Sequence, residues 1–494
     1  MAKTQSCDVI VIGGGSAASE AAVAVRQAGA ERVIMLEKAP EEFSGGNARF
    51  SHTGFRFVVS GAEEIRAFIP EVDEALYKSM QVAPYTTDDF MADLNRVTQR
   101  RIDPVLANYL VEKSNESVHW MRKTGIKWVP EKAVIVDGKR YYDPGKIIQP
   151  AGGGLGQLEQ WRRICQEHGI EIRYQSKVSA LYGDHRRIEG VQVMTPDETY
   201  DLTARAIIAC SGGFQANPEM RARYLGPNAD FVKVRGSRYN TGEVLRMMLE
   251  KGVKAAGHWQ GAHASPIDIA APAVETPVMK DGLGNSMNRY DYTFGITVNE
   301  SGQRFYDEGE SYHTYTYAKT GRAVLAQPGG VGYQIYDGKG IALFRHGKNQ
   351  EATFEEAQSV PELARKIGIT AEVLSRTVDE FNGAVRKDIP FDPRKLDGKR
   401  TEGLAINKSN WANPIDTPPF RAYPVTCGIT FTFGGVAINT NGQVLNTEGD
   451  AIKGLYASGD VIGLFFHNYP SCTGQTRNVV FGLTAGRHAA SHAN

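Results

Sequence analysis

The chain lacks the short motifs that mark several large functional classes. Its cysteines (Cys7, Cys165, Cys210, Cys427 and Cys472) are scattered, with no CxxC and no metal-ligand spacing. That excludes a zinc ribbon or a redox dithiol and reads as reduced thiols in a cytoplasmic protein. No HExxH is present, so a zinc protease of that motif is excluded, and no metal site is expected. No stretch is apolar enough to span a bilayer. Charge of either sign is not in excess: Lys plus Arg number 56, as do Asp plus Glu, and no basic run occurs. Nucleic acid is therefore not an expected partner. No internal repeat or low-complexity tract is visible. Met1 to Ser6 is too short and polar for a signal peptide, so Asn115-Glu116-Ser117 is not read as a glycosylation acceptor.

What is present is organised around the N-terminus. Val9 to Ile12 is a β-branched run that reads as a buried parallel strand. It ends at Gly13-Gly14-Gly15. A helix follows, with Ala18, Ala21, Ala22, Val25 and Ala28 on its apolar face and Gly29 as its stop. A second apolar run, Val33 to Leu36, ends at Glu37. The acid lies about twenty residues beyond the glycines, the order of a dinucleotide-binding βαβ unit. Gly13 serves the turn and Gly15 lets backbone approach a pyrophosphate. Ala18 still permits close helix–strand packing. The helix N-terminus offers free N–H groups to phosphate. Glu37 can accept from ribose hydroxyls.

Two more segments narrow the dinucleotide. Ser44-Gly45-Gly46-Asn47-Ala48 follows closely, and Gly454-Leu455-Tyr456-Ala457-Ser458-Gly459-Asp460 stands near the other end. The second resembles the strand-Gly-Asp segment with which two-dinucleotide-binding flavoproteins hold the FAD ribitol and pyrophosphate. Both ends of the chain then build one FAD site.

Between them, Glu63 to Leu76, Asp88 to Arg100 and Pro104 to Gly125 read as helices, the last with an apolar stripe of core residues. Gly152 to Gly156 precede a helix over Gln157 to Glu167; these glycines suit either a cofactor approach or a flexible loop. Ile170 to Tyr174, Val178 to Tyr182, Ile188 to Val193 and Tyr200 to Thr203 read as a strand meander. Ala206 to Phe214 is a buried strand running into glycines, and Glu243 to Lys251 a helix. From about Gly261 to Pro424 Pro, Gly and aromatic residues rise, with two short helices over Val360 to Val385. The sheet pattern resumes at Gly428 to Ile438, and a last helix spans Arg477 to His492. The expected organisation is an α/β, Rossmann-like FAD-binding domain in two segments, 1–260 and 426–494. An α+β capping domain, 261–425, is inserted between them.

These segments, with Arg235-Gly236-Ser237-Arg238-Tyr239-Asn240, Arg304 to Glu310, Trp411 to Phe420 and Gly428 to Phe433, resemble the fumarate reductase/succinate dehydrogenase flavoprotein superfamily. Within it the chain looks most like the FAD-dependent tricarballylate dehydrogenase group. Tyr469 to Gly474 is similar to the Tyr-Pro-Gly segment of 3-ketosteroid dehydrogenases. The resemblance implies FAD beside a mobile cap. Its candidate FAD contacts are Gly13 to Ala18, Glu37, Lys38, Gly45 to Ala48, Gly153, Gly154, Val178, Ala209, Ser211, Gly212, Gly213, Gly459, Asp460, Gly474 and Thr476. These include Gly14, Ser16, Ala17, Gly46 and Asn47 individually. Asn47 stands where covalent members carry the attachment histidine, which implies noncovalent FAD. His52 is either a substitute attachment point or a hydrogen-bonding residue. Thr430 occupies a slot where fumarate reductases carry histidine, and the cap arginine expected after the Asp-Glu segment is replaced by Tyr312 to Tyr317.

Flavin chemistry at a C–C bond needs a hydride partner, a proton-transfer group and polar groups for the activating oxygen. The catalytic candidates are Tyr317 first, then Tyr312, His313, Arg304 and Tyr469. Tyr317 is either the base or cap packing; Arg304 with Glu308 is either a relay or clamp, or a structural ion pair. Arg49, Thr432, His467 and Arg322 are substrate-binding candidates, and Arg235, Arg238, Arg477, His258 and His263 are further donors. The expected activity is dehydrogenation or reduction of a small carboxylate, tricarballylate-like. The alternatives are desaturation of an enone or ring ketone, and a flavin electron-transfer subunit with no substrate of its own. The sequence names no electron acceptor.

Overall fold

The computed structural model describes residues 4–278, 286–344 and 352–493, so the first three residues of the Met1–Ser6 stretch lie outside it. The first strand, Thr4–Ile12, is central in an eight-stranded sheet. Thr199–Ala209 runs parallel on one side of it and Val33–Leu36 parallel on the other. Ala451–Ala457 adds a parallel strand beside Thr199–Ala209. Ile12, Leu36, Ala209 and Ala457 therefore end at one edge, where open α/β sheets bind ligands. The sheet is the α/β, Rossmann-like one expected from the sequence.

Two helices cover this sheet side by side. Ser16–Gln27 packs on the last helix, Thr473–Ala493. Contact is close because a Cβ on Gly486 would lie 2.6 Å from the Ala21 carbonyl oxygen. The last helix begins at Thr473, a turn before the expected Arg477.

A second sheet of six strands is built on the long strand Phe420–Thr432. Ala262–Asp268 and Val331–Tyr336 pair with it antiparallel, and Lys233–Val234 parallel. Residues 428–432, expected to resume the first sheet, thus belong to the second, and the strand runs through residue 425. The helix His313–Leu325 lies across Ala262–Asp268.

Other differences have local causes. The expected helix 63–76 is two, Ala62–Phe68 and Glu74–Ser79, because Pro70 lacks an N–H and disfavours helix in the residue before it. The segments 200–203 and 206–209 form one strand. Glu171–Arg173 leaves the meander and pairs parallel with Val33–Leu36. The glycines at 153 and 154 are inside the helix Gly153–Glu167, whose N-cap Gly152 is left-handed. Among the described residues no helix is long and apolar enough to cross a membrane.

Candidate active site

The strand ends and helix starts open into one continuous cavity of about 790 Å³. At one end lie the glycines. Gly13 takes φ +125°, and a Cβ there would lie 2.4 Å from the Cys210 carbonyl oxygen, so only glycine fits. Gly15 differs: a Cβ would meet nothing closer than the Gly45 carbonyl oxygen at 3.4 Å. Gly15 is the N-cap of the first helix and supplies no side-chain cap. The first N–H groups of that helix are left for a ligand.

Glu37 is buried on the same wall, where the Ala39 N–H donates to its Oε1 at 2.7 Å. Burial pushes its carboxyl above the usual range. Lys38, which also lines the cavity, turns to Glu243 at 2.9 Å. Asn478 Nδ2 donates to Ser16 Oγ at 3.3 Å, so the starts of the first and last helices are stitched at the cavity wall. Asp460 accepts from the buried Arg477. Asn47 is held at both ends: Nδ2 donates to the Thr430 carbonyl at 2.5 Å, and Oδ1 accepts from the Ser237 N–H at 3.1 Å.

Of the FAD candidates, Ala17, Gly45, Gly46, Ala48, Val178, Ser211, Gly212, Gly459 and Gly474 also line the cavity. Ala18, Ala209, Gly213, Gly153, Gly154 and Thr476 do not. Gly154 instead admits the backbone of the Asn47 loop, since a Cβ would lie 2.1 Å from the Ala48 carbonyl oxygen. Thr476 Oγ1 donates to the Arg56 carbonyl at 2.6 Å. Thr430 Oγ1, Glu131 Oε2 and Arg235 Nε are buried cavity-wall atoms with no hydrogen-bond partner among the described residues. The free helix N-terminus, the open face of Gly15 and Glu37 at the strand end fit an FAD dinucleotide.

The other end carries a hydrogen-bonded chain of side chains. Successive turns of one helix face bear His313, Tyr317 and Gly321. A Cβ on Gly321 would lie 2.6 Å from the Ser265 nitrogen, so its absence seats the helix on the strand Ala262–Asp268. His263 and Ser265 share one face of that strand. The loop before the last helix is tied to the same helix: Asn468 Nδ2 donates to the Tyr315 carbonyl at 2.5 Å. These contacts bring the Tyr317 hydroxyl to 2.9 Å from that of Tyr469, which lies 3.0 Å from His263 Nδ1. His263 Nε2 is 3.1 Å from Ser265 Oγ. Arg235 Nη1 donates to Ser265 Oγ at 2.8 Å and to the Tyr290 hydroxyl at 2.9 Å. Arg235, His263, Tyr290, His313, Tyr317 and Tyr469 line the cavity. Burial, then the Tyr290 and Cys472 neighbours, raise the Tyr317 phenol. Burial and Arg235 hold the His263 imidazole well below its usual range, hence neutral.

A third wall is charged. His52 Nε2 contacts Glu131 Oε1, and Lys146 Nζ lies 3.8 Å from the same oxygen. Burial pushes the Glu131 carboxyl up, but Lys146 and His52 outweigh it and hold it at about 2.

The remaining candidates sit off the cavity. Arg304 is buried in an ion pair with Glu308 at 2.5 Å and donates to the Ile406 carbonyl at 2.7 Å. Tyr312 packs its ring 5.8 Å from Trp411. Thr432 Oγ1 accepts from the Phe214 N–H at 3.4 Å. Arg322 donates to the Gln260 carbonyl, His467 packs 4.8 Å from His258, and Arg49 is part-exposed on a short helix, Gly46–Phe50. Tyr290, Ser265 and Glu131 are cavity-network residues that the sequence did not single out. Ser265 had a signal, since it stands two residues from His263 on an extended run. Tyr290 and Glu131 had none.

The profile of the FAD binding domain family matches residues 8–475. A probable fumarate reductase of Shewanella frigidimarina is 28% identical over 99% of this chain and 76% of its own length. A 4-oxocyclohex-2-ene-1-carboxylate 5-dehydrogenase of Sinomonas cyclohexanicum is 25% identical over 100% of this chain and 95% of its own. Among solved structures, the open conformation of a flavocytochrome c3 fumarate reductase superposes with a TM-score of 0.71 at 27% identity. It covers 99% of this chain and 79% of that one. A 3-ketosteroid Δ1-dehydrogenase from Sterolibacterium denitrificans has the same fold, with a TM-score of 0.73 at 19% identity over 98% of this chain and 99% of that one.

Proposed function

The chain belongs to the FAD binding domain family, and on that premise we propose that it moves a hydride and a proton across a C–C bond conjugated to a carbonyl oxygen, in a ketone or ring-enone substrate. It is an FAD-dependent oxidoreductase acting on CH–CH or C=C bonds. Bound FAD supplies the hydride partner; Gly13 to Ser16, Glu37 and the segment at Gly459-Asp460 would hold it. The chain's own residues do the rest. The Tyr317 hydroxyl binds the activating oxygen and moves the proton, with Tyr469 hydrogen-bonded behind it, while Phe431 and Phe294 give the cavity apolar walls that exclude water.

One observation carries the choice of substrate. Of Arg49, Arg235, Arg238, Arg304, Arg322 and Arg477, Arg235 is the one on the cavity wall. Arg238, Arg304 and Arg477 are paired with Glu275, Glu308 and Asp460. Other cations of the wall include Lys38, Lys146 and Arg394, and these are paired with Glu243, Glu131 and Asp392. A tricarboxylate, the substrate class the sequence resemblance favours, would set several negative charges against a wall whose cations are largely neutralised by the chain's own carboxylates. A ketone oxygen suits neutral phenol donors. The polar network also argues against a bare electron carrier.

The test is anaerobic mixing of photoreduced holoenzyme with cyclohex-2-enone, a 3-ketosteroid enone, fumarate and aconitate. The reading expects flavin reoxidation by the enones at rates well above those for the carboxylates. Reoxidation by aconitate alone would return the assignment to a tricarboxylate.

A further inference from the structure

We infer that His263 is a positioning residue that fixes the direction of the hydroxyl chain, so that Tyr317 presents its proton, not its lone pair, to the substrate. This rests on the enone reading above and deepens it. Donors and acceptors along the chain fix its direction. Arg235 has donors only, and its Nη1 donates to Ser265 Oγ. The Tyr290 hydroxyl, which accepts from the same guanidinium, donates to Ser265 Oγ at 3.2 Å. Both acceptor positions of the serine oxygen are then filled. Its own proton must go to the remaining neighbour, His263 Nε2.

A neutral imidazole that accepts at one nitrogen donates from the other. His263 Nδ1–H therefore donates to the Tyr469 oxygen. Tyr469 in turn donates to the Tyr317 oxygen. With that oxygen occupied, the Tyr317 O–H is directed to the cavity. Burial beside Arg235 keeps His263 neutral, which preserves this single tautomer. Arg235 is thus the anchor of a one-way chain, Arg235 to Ser265 to His263 to Tyr469 to Tyr317. Such an array stabilises negative charge on a bound oxygen. It suits proton delivery in the reductive direction.

The probe is 4-nitrophenol, whose phenolate form absorbs separately from the phenol and mimics an enolate oxygen. Titrated into oxidised holoenzyme, it should bind chiefly as phenolate. His263→Leu, which cannot donate, should lose about tenfold in phenolate affinity or more. His263→Asn places an amide N–H near the Nδ1 position and should keep most of it. Ser265→Ala, which frees the imidazole to change tautomer, should fall between them and covers the case in which the leucine variant does not fold. Equal phenolate binding by wild type, His263→Leu and Ser265→Ala would overturn the inference. Failure of every enone to reoxidise wild-type flavin would instead overturn the substrate reading, while phenolate binding still reports the chain's direction.

Discussion

Gly321 touches Ser265 through the space a side chain would take: a Cβ on the glycine would stand 2.6 Å from the serine nitrogen. This contact sets how deeply the helix His313–Leu325 sits, and hence where Tyr317 meets Tyr469. Gly321→Val should therefore push the helix away. Expected are a loss of about 1–3 kcal/mol in stability, from overpacking, and a fall in turnover larger than that stability loss explains. Chemical denaturation and steady-state assay of the same preparation check both. Wild-type turnover in a valine variant would mean that this seat does not position the site.

Gly15 and Glu37 separate cofactor binding from folding. Because a Cβ on Gly15 would meet nothing closer than the Gly45 carbonyl oxygen at 3.4 Å, Gly15→Val should cost the apoprotein little stability yet weaken FAD binding by blocking the phosphate approach. Glu37→Ala removes the ribose acceptor and should also weaken retention. Calorimetric titration of apoprotein with FAD, beside apoprotein melting, measures the two effects. Undiminished FAD affinity in both variants would remove the assignment of this loop.

Glu131 predicts a pH signature. Its folded carboxyl is held near 2, below the unfolded value of 4.5. A depressed carboxyl stabilises the fold fully above its unfolded value, and that stabilisation is lost as pH falls toward the folded one. The shift corresponds to roughly 3 kcal/mol. Between about pH 5 and about pH 2, wild type should lose stability more steeply than Glu131→Gln. Parallel curves would show that Lys146 and His52 do not hold the charge.

FAD should be noncovalent. The sequence resemblance puts Asn47 in the attachment slot, and both ends of its side chain are bound to Thr430 and Ser237. Acid precipitation should leave the yellow colour in the supernatant; a yellow pellet contradicts this and points to His52.

The FAD end was legible because it is local. Gly13 to Glu37 is one contiguous βαβ unit, and each turn, helix start and acid is fixed by neighbours in sequence. The tyrosine site was only partly legible. Tyr317 and Tyr469 stood in recognisable segments, but their partners come from an extended run at Ser265 and an irregular one at Tyr290. Only tertiary packing brings those together. Arg304 shows the converse: its motif was plain, yet the side chain to which it is committed, Glu308, lies four residues away inside the second sheet's core. Residue type alone does not distinguish an arginine facing a ligand from one facing a carboxylate of its own chain.

The central claim, that the Tyr317 hydroxyl moves the proton, is tested by Tyr317→Phe. This change keeps the ring and removes the hydroxyl. The measurement is single-turnover reoxidation of photoreduced enzyme by a conjugated enone, followed across substrate concentration. The account predicts a limiting rate lower by roughly a hundredfold or more, with half-saturation nearly unchanged. A limiting rate equal to wild type would make Tyr317 a packing residue and contradict the account.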